Sequence, residues 1–320
     1  MSAGPAEAAG GHPPLVVIAG ATATGKTGLS LALADALQTR GRAAEVISAD
    51  SRQVYRGLDV GTAKATPAER ARVPHHGLDL VDPDQPFSVA DFVAHASGAL
   101  AGIAARDAVA LLVGGTGLYL RAVGRGLDVD ALPFDPAVRR RLEADLATDG
   151  LAAAVARLRA VAPGLAAAID VRNPRRVVRA LEIALVGGDV PRPAPRGYGG
   201  PSLWIGLAVD RETHRRRIVE RARAQFAGGL IEEAARLRER FDPGLPAFSA
   251  IGYREAWAVL DGRLALEAAI ALDAGRNLAF ARRQRTWFRS EPGIAWLDAE
   301  RDPVAEAIVL VEGFLVGPGG

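Results

Sequence analysis

Eight residues, GATATGKT from Gly20 to Thr27, restrict what this chain can fold into more than any other stretch. They follow the spacing G-x-x-x-x-G-K-[ST]. An apolar segment, Leu15 to Ala19, precedes them, and Leu29, Leu33 and Leu37 follow at helical intervals. Strand, glycine loop and helix form the context in which this spacing builds a phosphate-binding loop. The backbone of Gly20, Ala21, Thr22, Ala23, Thr24 and Gly25 is expected to wrap a diphosphate, with the helix N-terminus adding its positive dipole end. Lys26 is expected to reach the terminal phosphate and the Thr27 hydroxyl to hold Mg²⁺. The motif leaves one question open: whether the phosphate is transferred, hydrolysed or discarded.

The segments around the loop supply the fold class. LVVIAG, EVISAD and LLVGG are short apolar strands separated by helical or loop stretches over residues 15–122, the grammar of a parallel α/β sheet. Residues 135–187 are alanine-rich with helical periodicity, and Pro191 to Ser202 is a proline- and glycine-rich linker. LWIGLAVD, Leu203 to Asp210, is one more buried strand, with helices expected from there to the C-terminus. The expected architecture is a P-loop NTPase-like α/β core over 15–133 and 200–316, interrupted by a small all-α insertion over 134–199. Residues 1–14 are expected to form a disordered lead, and the GPGG ending is expected to be disordered as well.

The chain has 320 residues, 49% of them hydrophobic, enough for a sizeable core, and no cysteine, which excludes disulfides and thiolate metal sites. MSAGPAEAAGGHPP has neither the basic nor the apolar region of a signal peptide, and no apolar run suits a bilayer. A soluble, cytoplasmic protein without a membrane partner is expected, by default a monomer. The charge is uneven. Arg276, Arg282, Arg283, Arg285 and Arg289 occupy a stretch without acids, as do Arg172, Arg175, Arg176 and Arg179; a third group runs from Arg211 to Arg223. Three such groups favour a polyanionic partner over a merely solvated surface. Of 39 basic side chains only Lys26 and Lys64 are lysine, which marks Lys64 as a second candidate functional lysine.

A nucleotide hydrolase of this class needs a second strand ending in Asp, yet Leu111 to Val113 runs into GGTGLYL. The strand that does deliver a carboxylate is EVISAD, and its Asp50 is expected near the phosphates, as a metal-organising residue or a general base. Gly114 to Gly117 permits close backbone approach, with Thr116 offering a hydroxyl. ARRQRTWFR, Ala281 to Arg289, interleaves arginine with Trp287 and Phe288; this suits RNA backbone and base contacts, or equally an amphipathic helix with Trp287 in the core. His75 and His76 are expected in a polar loop.

GATATGKT, ISADSRQVYRGLDVGTAK, HHGLDLVDPDQPFSVADF, LLVGGTGLYLRA, NPRRVVRALE, SAIGYRE and RRQRTWFR occur in this order. Together they resemble the tRNA dimethylallyltransferase family over roughly residues 15–290. The resemblance implies transfer of a dimethylallyl group from dimethylallyl diphosphate to N6 of the adenosine 3′-adjacent to the anticodon in tRNA, with Mg²⁺. It implies a phosphate-loop core plus an inserted helical domain gripping the anticodon stem-loop. Carried over by position, Asp50 is the general base, and Asp50, Ser51, Arg52 and Gln53 contact the target adenosine. Thr116 sits between diphosphate and Asp50, and Arg221 lies near the diphosphate. Arg139, Arg175, Arg176, Arg179, Ser249, Gly252, Tyr253, Arg254, Arg282, Arg283, Gln284, Arg285, Trp287 and Arg289 match tRNA-contacting segments. The chain departs from the family pattern at Ala21, Thr24 and Ala65, where proline, serine and proline are usual, and in DVPRPAPRG after Gly188. Three rivals remain: an ATP-dependent kinase using the same loop, an adenylate prenyltransferase that would not need the insertion, and a non-catalytic RNA-binding protein.

Overall fold

The computed structural model describes residues 11–190 and 193–316. Most of the lead, Pro191 and Arg192 of the linker, and the GPGG ending lie outside the described residues. The chain forms two compact units. One runs up to Gly126 and resumes at Gly197; the other is Leu127–Arg196, starting earlier than the expected position 134.

The first unit is built on six strands: β1 (Leu15–Gly20), β2 (Ala44–Ser48), β3 (His75–His76), β4 (Val109–Gly114), β5 (Ser202–Ala208) and β6 (Ile294–Asp298). Their order is β3-β2-β4-β1-β5-β6 and every pairing is parallel. This is the P-loop NTPase-like fold. β1 and β4 are buried at every residue, as central strands covered on both faces must be. Because side chains alternate along a strand, Leu15, Val17 and Ala19 enter one core while Val16 and Ile18 enter the other.

Helices α1 (Lys26–Thr39), α2 (Pro67–Arg72), α3 (Val89–Ala105) and α4 (Gly117–Gly124) fill the connections between the first strands. The α1 residues Leu29, Leu33 and Leu37 pack beneath Val16 and Ile18, whereas Tyr119 and Leu120 of α4 join the opposite core. The neighbouring strands β1 and β4 thus send their chains to opposite faces, which opens a crevice at their carboxyl ends.

The second unit contains α5 (Pro136–Val161), α6 (Pro163–Ala167) and α7 (Pro174–Gly187). Gly150, at φ 81°, kinks α5, and Leu142, Leu158, Leu165, Val177, Leu181 and Ile183 form the unit's own core. The first unit then resumes with α8 (Arg211–Ala227), α9 (Leu230–Arg240), α10 (Tyr253–Leu260), α11 (Leu266–Arg289) and α12 (Pro303–Val316).

Four expectations change. β6 interrupts the run of C-terminal helices; it is a five-residue edge strand in which only Leu297 is buried, and its apolar stretch, Ile294 to Leu297, is too short to stand out among helices. His75 and His76 form the short strand β3 rather than a polar loop, and His76 Nε2 lies 2.7 Å from Glu45. The described end of the lead is tied down: Pro13 is buried and its carbonyl accepts from the hydroxyl of buried Tyr198 at 2.9 Å. Lys64 is buried, and its ammonium donates to the Tyr55 carbonyl at 2.9 Å and to Asp59 and Asp79 at 2.6 Å each. Its role is to pin the loop after β2.

That loop has a second anchor. Buried Glu233 of α9 accepts from the amides of Asp59, Val60 and Gly61 at 3.1, 2.8 and 3.0 Å, and from the Tyr253 hydroxyl at 2.7 Å. Removing the carboxylate strands two buried donors, the Gly61 amide and the Tyr253 hydroxyl, each costing about 1–3 kcal/mol, and frees the less buried amides of Asp59 and Val60. Glu233→Ala should therefore lose about 3 kcal/mol or more of unfolding free energy in urea, and Tyr253→Phe about 1–2 kcal/mol. A Glu233→Ala midpoint equal to wild type would contradict this anchor.

Candidate active site

The phosphate loop leaves β1 at Gly20 and enters α1 at Lys26. Ala23 at φ 60° and Gly25 at φ 98° are left-handed, and such turns aim successive N–H groups into a concave nest that suits an anion. Thr24 is buried and its hydroxyl donates to the Ala21 carbonyl at 3.0 Å. The Lys26 ammonium donates to the same carbonyl at 2.7 Å. Burial, then the nearby Arg221 guanidinium, lower the Lys26 pKa to about 8, against an opposing pull from Asp50. Arg221, on α8, is likewise lowered by burial, with Asp50 and Asp273 working the other way. Among the described residues its Nε has no hydrogen-bond partner, and one of its terminal nitrogens lies 3.4 Å from the Thr62 carbonyl. Two cations thus share Asp50, with Asp273 acting on Arg221 alone, and an anion suits a pair of cations that burial disfavours.

One member of the loop has a different duty. The Thr22 amide donates to Gln284 Oε1 at 2.8 Å, and the Thr22 carbonyl lies 2.8 Å from His214 Nε2. The Thr22 amide is therefore committed inside the protein and leaves the set of N–H groups facing a phosphate. A carbonyl can only accept, so His214 donates from Nε2; its Nδ1 then accepts from Arg285 at 3.4 Å. His214 is held neutral, its pKa lowered chiefly by burial.

Asp50 lies just past β2, where its Oδ1 accepts from the Arg52 amide at 2.8 Å. Thr116 follows β4; its amide donates to the Ala49 carbonyl at 3.2 Å and its Oγ1 accepts from the Ser51 amide at 3.0 Å. Thr116 thereby fixes the Asp50–Ser51 segment against the end of β4. Gly114 is required for that approach, since a Cβ there would fall 2.1 Å from the Ala49 carbonyl oxygen. Gln53, expected at the adenosine, is spent internally: it accepts from the Ser48 hydroxyl at 2.7 Å and donates to the Thr62 carbonyl at 3.1 Å.

Burial corrects several expected RNA contacts. Tyr253 has no exposed surface and its hydroxyl is on Glu233; Gly252 is buried, with its amide on Glu255 at 3.1 Å. Gln284 is buried between two loops. Trp287 lies against Gly117, with the Arg121 guanidinium 4.5 Å from its ring centre, so the indole packs within the protein. Ser249 bonds the Pro246 carbonyl at 2.7 Å and is half-buried, while Arg254 is exposed. On α11, Arg282, Arg283 and Arg289 are exposed and Arg285 half-buried, and none of the four pairs with a carboxylate among the described residues. Burial and the charges of Arg211, Arg289 and Arg282 all lower the Arg285 pKa, the mark of an electropositive patch. In the helical unit Arg175 and Arg176 are exposed, whereas Arg139 and Arg179 share the buried Glu182 and so help hold α5 to α7.

The family profile described as "IPP transferase" matches residues 53–291, and that described as "Isopentenyl transferase" matches residues 13–74. The chain belongs to the IPP transferase family. A tRNA dimethylallyltransferase of Anaeromyxobacter sp. (strain K) is 48% identical over 303 residues, covering 93% of this chain and 97% of that protein. A Thermus thermophilus tRNA dimethylallyltransferase is 46% identical, covering 87% and 90%. The crystal structure of the Bacillus halodurans tRNA isopentenylpyrophosphate transferase superposes with a TM-score of 0.69 at 39% identity, covering 95% and 97%. A eukaryotic dimethylallyltransferase crystallised in snapshots of its action on tRNA shares the fold, with a TM-score of 0.78 at 24% identity.

For an IPP transferase, the sequence reading missed two things: the His214–Gln284 clamp on Thr22 and the Glu233 anchor. Gln284 was visible as the lone amide in an arginine run, but which face of a helix turns inward is not written in a motif. His214 supplies a pH test. Its folded pKa lies below the ordinary value near 6.5, so between the two the unfolded chain binds more protons. The neutral clamp therefore contributes stability that is present above about pH 6.5 and lost as the pH falls toward the lower folded value. Thermal melts of wild type should decline over that range more steeply than those of His214→Gln. Parallel melting curves would contradict the neutral assignment.

Proposed function

We propose that this chain transfers the dimethylallyl group of dimethylallyl diphosphate to the exocyclic N6 of the adenosine on the 3′ side of a tRNA anticodon, releasing diphosphate. One observation carries the reading: half-buried Lys26 and Arg221 crowd the phosphate loop while the neighbouring strand β4 ends in Gly-Gly-Thr-Gly without a carboxylate. A site that activates water against phosphorus wants an acid there; a site that receives a departing diphosphate wants cations.

The reaction follows from this arrangement. The allylic C–O bond breaks with its electron pair passing to the diphosphate, where the loop amides, Lys26 and Arg221 meet the growing charge. The adenine, drawn out of its stack at a cost of a few kcal/mol, presents N6 to the allylic carbon. Asp50 accepts an N6 proton as the C–N bond forms. Thr116, bonded to the Ser51 amide, keeps Asp50 beside the donor loop. The exposed arginines of α11 and Arg175 and Arg176 of the helical unit fit contacts to the RNA backbone.

Mg²⁺ fits as part of the substrate complex. Among the described residues no group of three or more carboxylate or histidine side chains could hold a metal, but Thr27 at the head of α1 offers a hydroxyl. Mg²⁺ binds phosphate oxygens and waters with few protein ligands, and it would neutralise charge on the leaving diphosphate.

Protein incubated with an unmodified anticodon stem-loop, dimethylallyl diphosphate and Mg²⁺ should yield RNA heavier by one dimethylallyl group in mass spectrometry. Asp50→Ala should slow this by about 10²–10⁴-fold while RNA affinity stays close to wild type. Phosphoryl transfer from ATP with no prenylated RNA would overturn the reading in favour of a kinase, and an Asp50→Ala rate equal to wild type would remove the base. A second measurement uses pH. kcat/KM for the donor reports the free enzyme, so it should fall as the pH rises through about 8, where Lys26 loses its proton. A profile level across that range would deny Lys26 its part.

A further inference from the structure

Gln284 stands apart from the arginines that flank it. It is buried, and its carboxamide joins two loops that the chain keeps far apart in sequence. Oε1 accepts from the Thr22 amide at 2.8 Å, and Nε2 donates to the Gly115 carbonyl at 2.9 Å. Both bonds dictate the orientation of the amide, because the reversed group would set N–H against N–H and oxygen against oxygen. The GGTG segment is cut to receive it: a Cβ on Gly115 would fall 2.4 Å from Gln284 Nε2, and one on Gly117 would fall 2.4 Å from the Trp287 ring. The two glycines thus admit side chains of α11 rather than a ligand.

The bridge reaches the reacting groups at both ends. Thr22 lies in the phosphate loop. Gly115 precedes Thr116, whose Oγ1 accepts from the Ser51 amide next to Asp50. We infer that Gln284 is a positioning residue: it sets the register between the loop that receives the diphosphate and the segment that carries the general base. This rests on the proposed prenyl transfer and deepens it. Neither loop needs the bridge to bind its own partner, but the reaction needs both partners aligned, and a misplacement of about 1 Å is enough to cost on the order of 10²-fold in rate. The same turns of α11 display Arg282, Arg283 and Arg289 outward, so RNA seated on those arginines braces the helix that carries the bridge.

The test replaces Gln284 by Met, which keeps the length and loses both bonds, and separately makes Gly115→Ala, which drives a methyl group into the amide. Each variant is compared with wild type in four measurements: thermal midpoint, affinity for inorganic pyrophosphate, affinity for the anticodon stem-loop, and kcat with donor and RNA saturating. Both variants should keep the two affinities within about 3-fold and lose kcat by about 10-fold or more, part of the loss that misalignment produces. An unchanged kcat in Gln284→Met would overturn the inference while leaving prenyl transfer intact. Parallel loss of midpoint, both affinities and kcat would overturn it too, by showing a merely structural residue. Absence of any prenyl transfer by wild type would instead strike the functional reading, and this inference with it.

Discussion

A phosphate loop has to satisfy opposing demands: its N–H groups must stay free for the anion, yet the backbone that carries them must not move. Hydrogen bonds within the loop serve only part of that need. Here the Ala21 carbonyl takes both the Thr24 hydroxyl and the Lys26 ammonium, which closes the loop upon itself. The remaining restraint comes from outside, where the backbone N–H and carbonyl of Thr22 are held by side chains of α11 and α8. One amide is withdrawn from anion binding so that the others are fixed. What depends on Thr22 staying where it is, is the alignment of this loop with the Gly115–Thr116 segment that Gln284 also holds.

The electrostatics follow from the same geometry. Lys26 and Arg221 both hold their protons less tightly than usual because they are poorly solvated, Arg221 adds to this at Lys26, and Asp50 only partly offsets it. Such a pair is costly in the protein alone and favourable once a dianion or trianion lies between the cations. Under the proposed transfer, that pair would meet a group whose charge grows as the reaction proceeds, the differential stabilisation that catalysis requires.

What the sequence made legible was local. The phosphate loop, its strand and the helix bearing Leu29, Leu33 and Leu37 are consecutive residues whose periodicity can be read directly, and so are β2 ending near Asp50 and the strand before GGTG. Tyr253 and Gln284 were misread because both lie in motifs rich in polar groups, and a motif records which residues are present without recording which way they face. Trp287 is open to two readings from the sequence; in the fold it is half-buried against Gly117 and under Arg121. Glu233 gave no signal at all. Its partners, Asp59, Val60 and Gly61, lie in another part of the chain, and a buried carboxylate accepting three amides resembles any surface glutamate on α9 until the fold is known. β6 escaped for the opposite reason: an edge strand with Trp296 outward has too little burial to write a clear pattern.

The two lysines show how composition and structure meet. A chain that uses arginine nearly everywhere keeps lysine at positions 26 and 64, and only the first lies in the phosphate loop. Lys64 answers to the same physical demand in a different place. Its ammonium donates three hydrogen bonds, to the Tyr55 carbonyl, Asp59 and Asp79, from a buried position. Three acceptors converging on one small centre suit the three donors of an ammonium group; a planar guanidinium would spread its donors too widely to serve them. Lys26 faces the related requirement of a compact cation at the mouth of a tight loop. Rarity of lysine thus marks where a point charge is needed, and it takes the fold to say whether that charge meets a ligand or the protein's own oxygens.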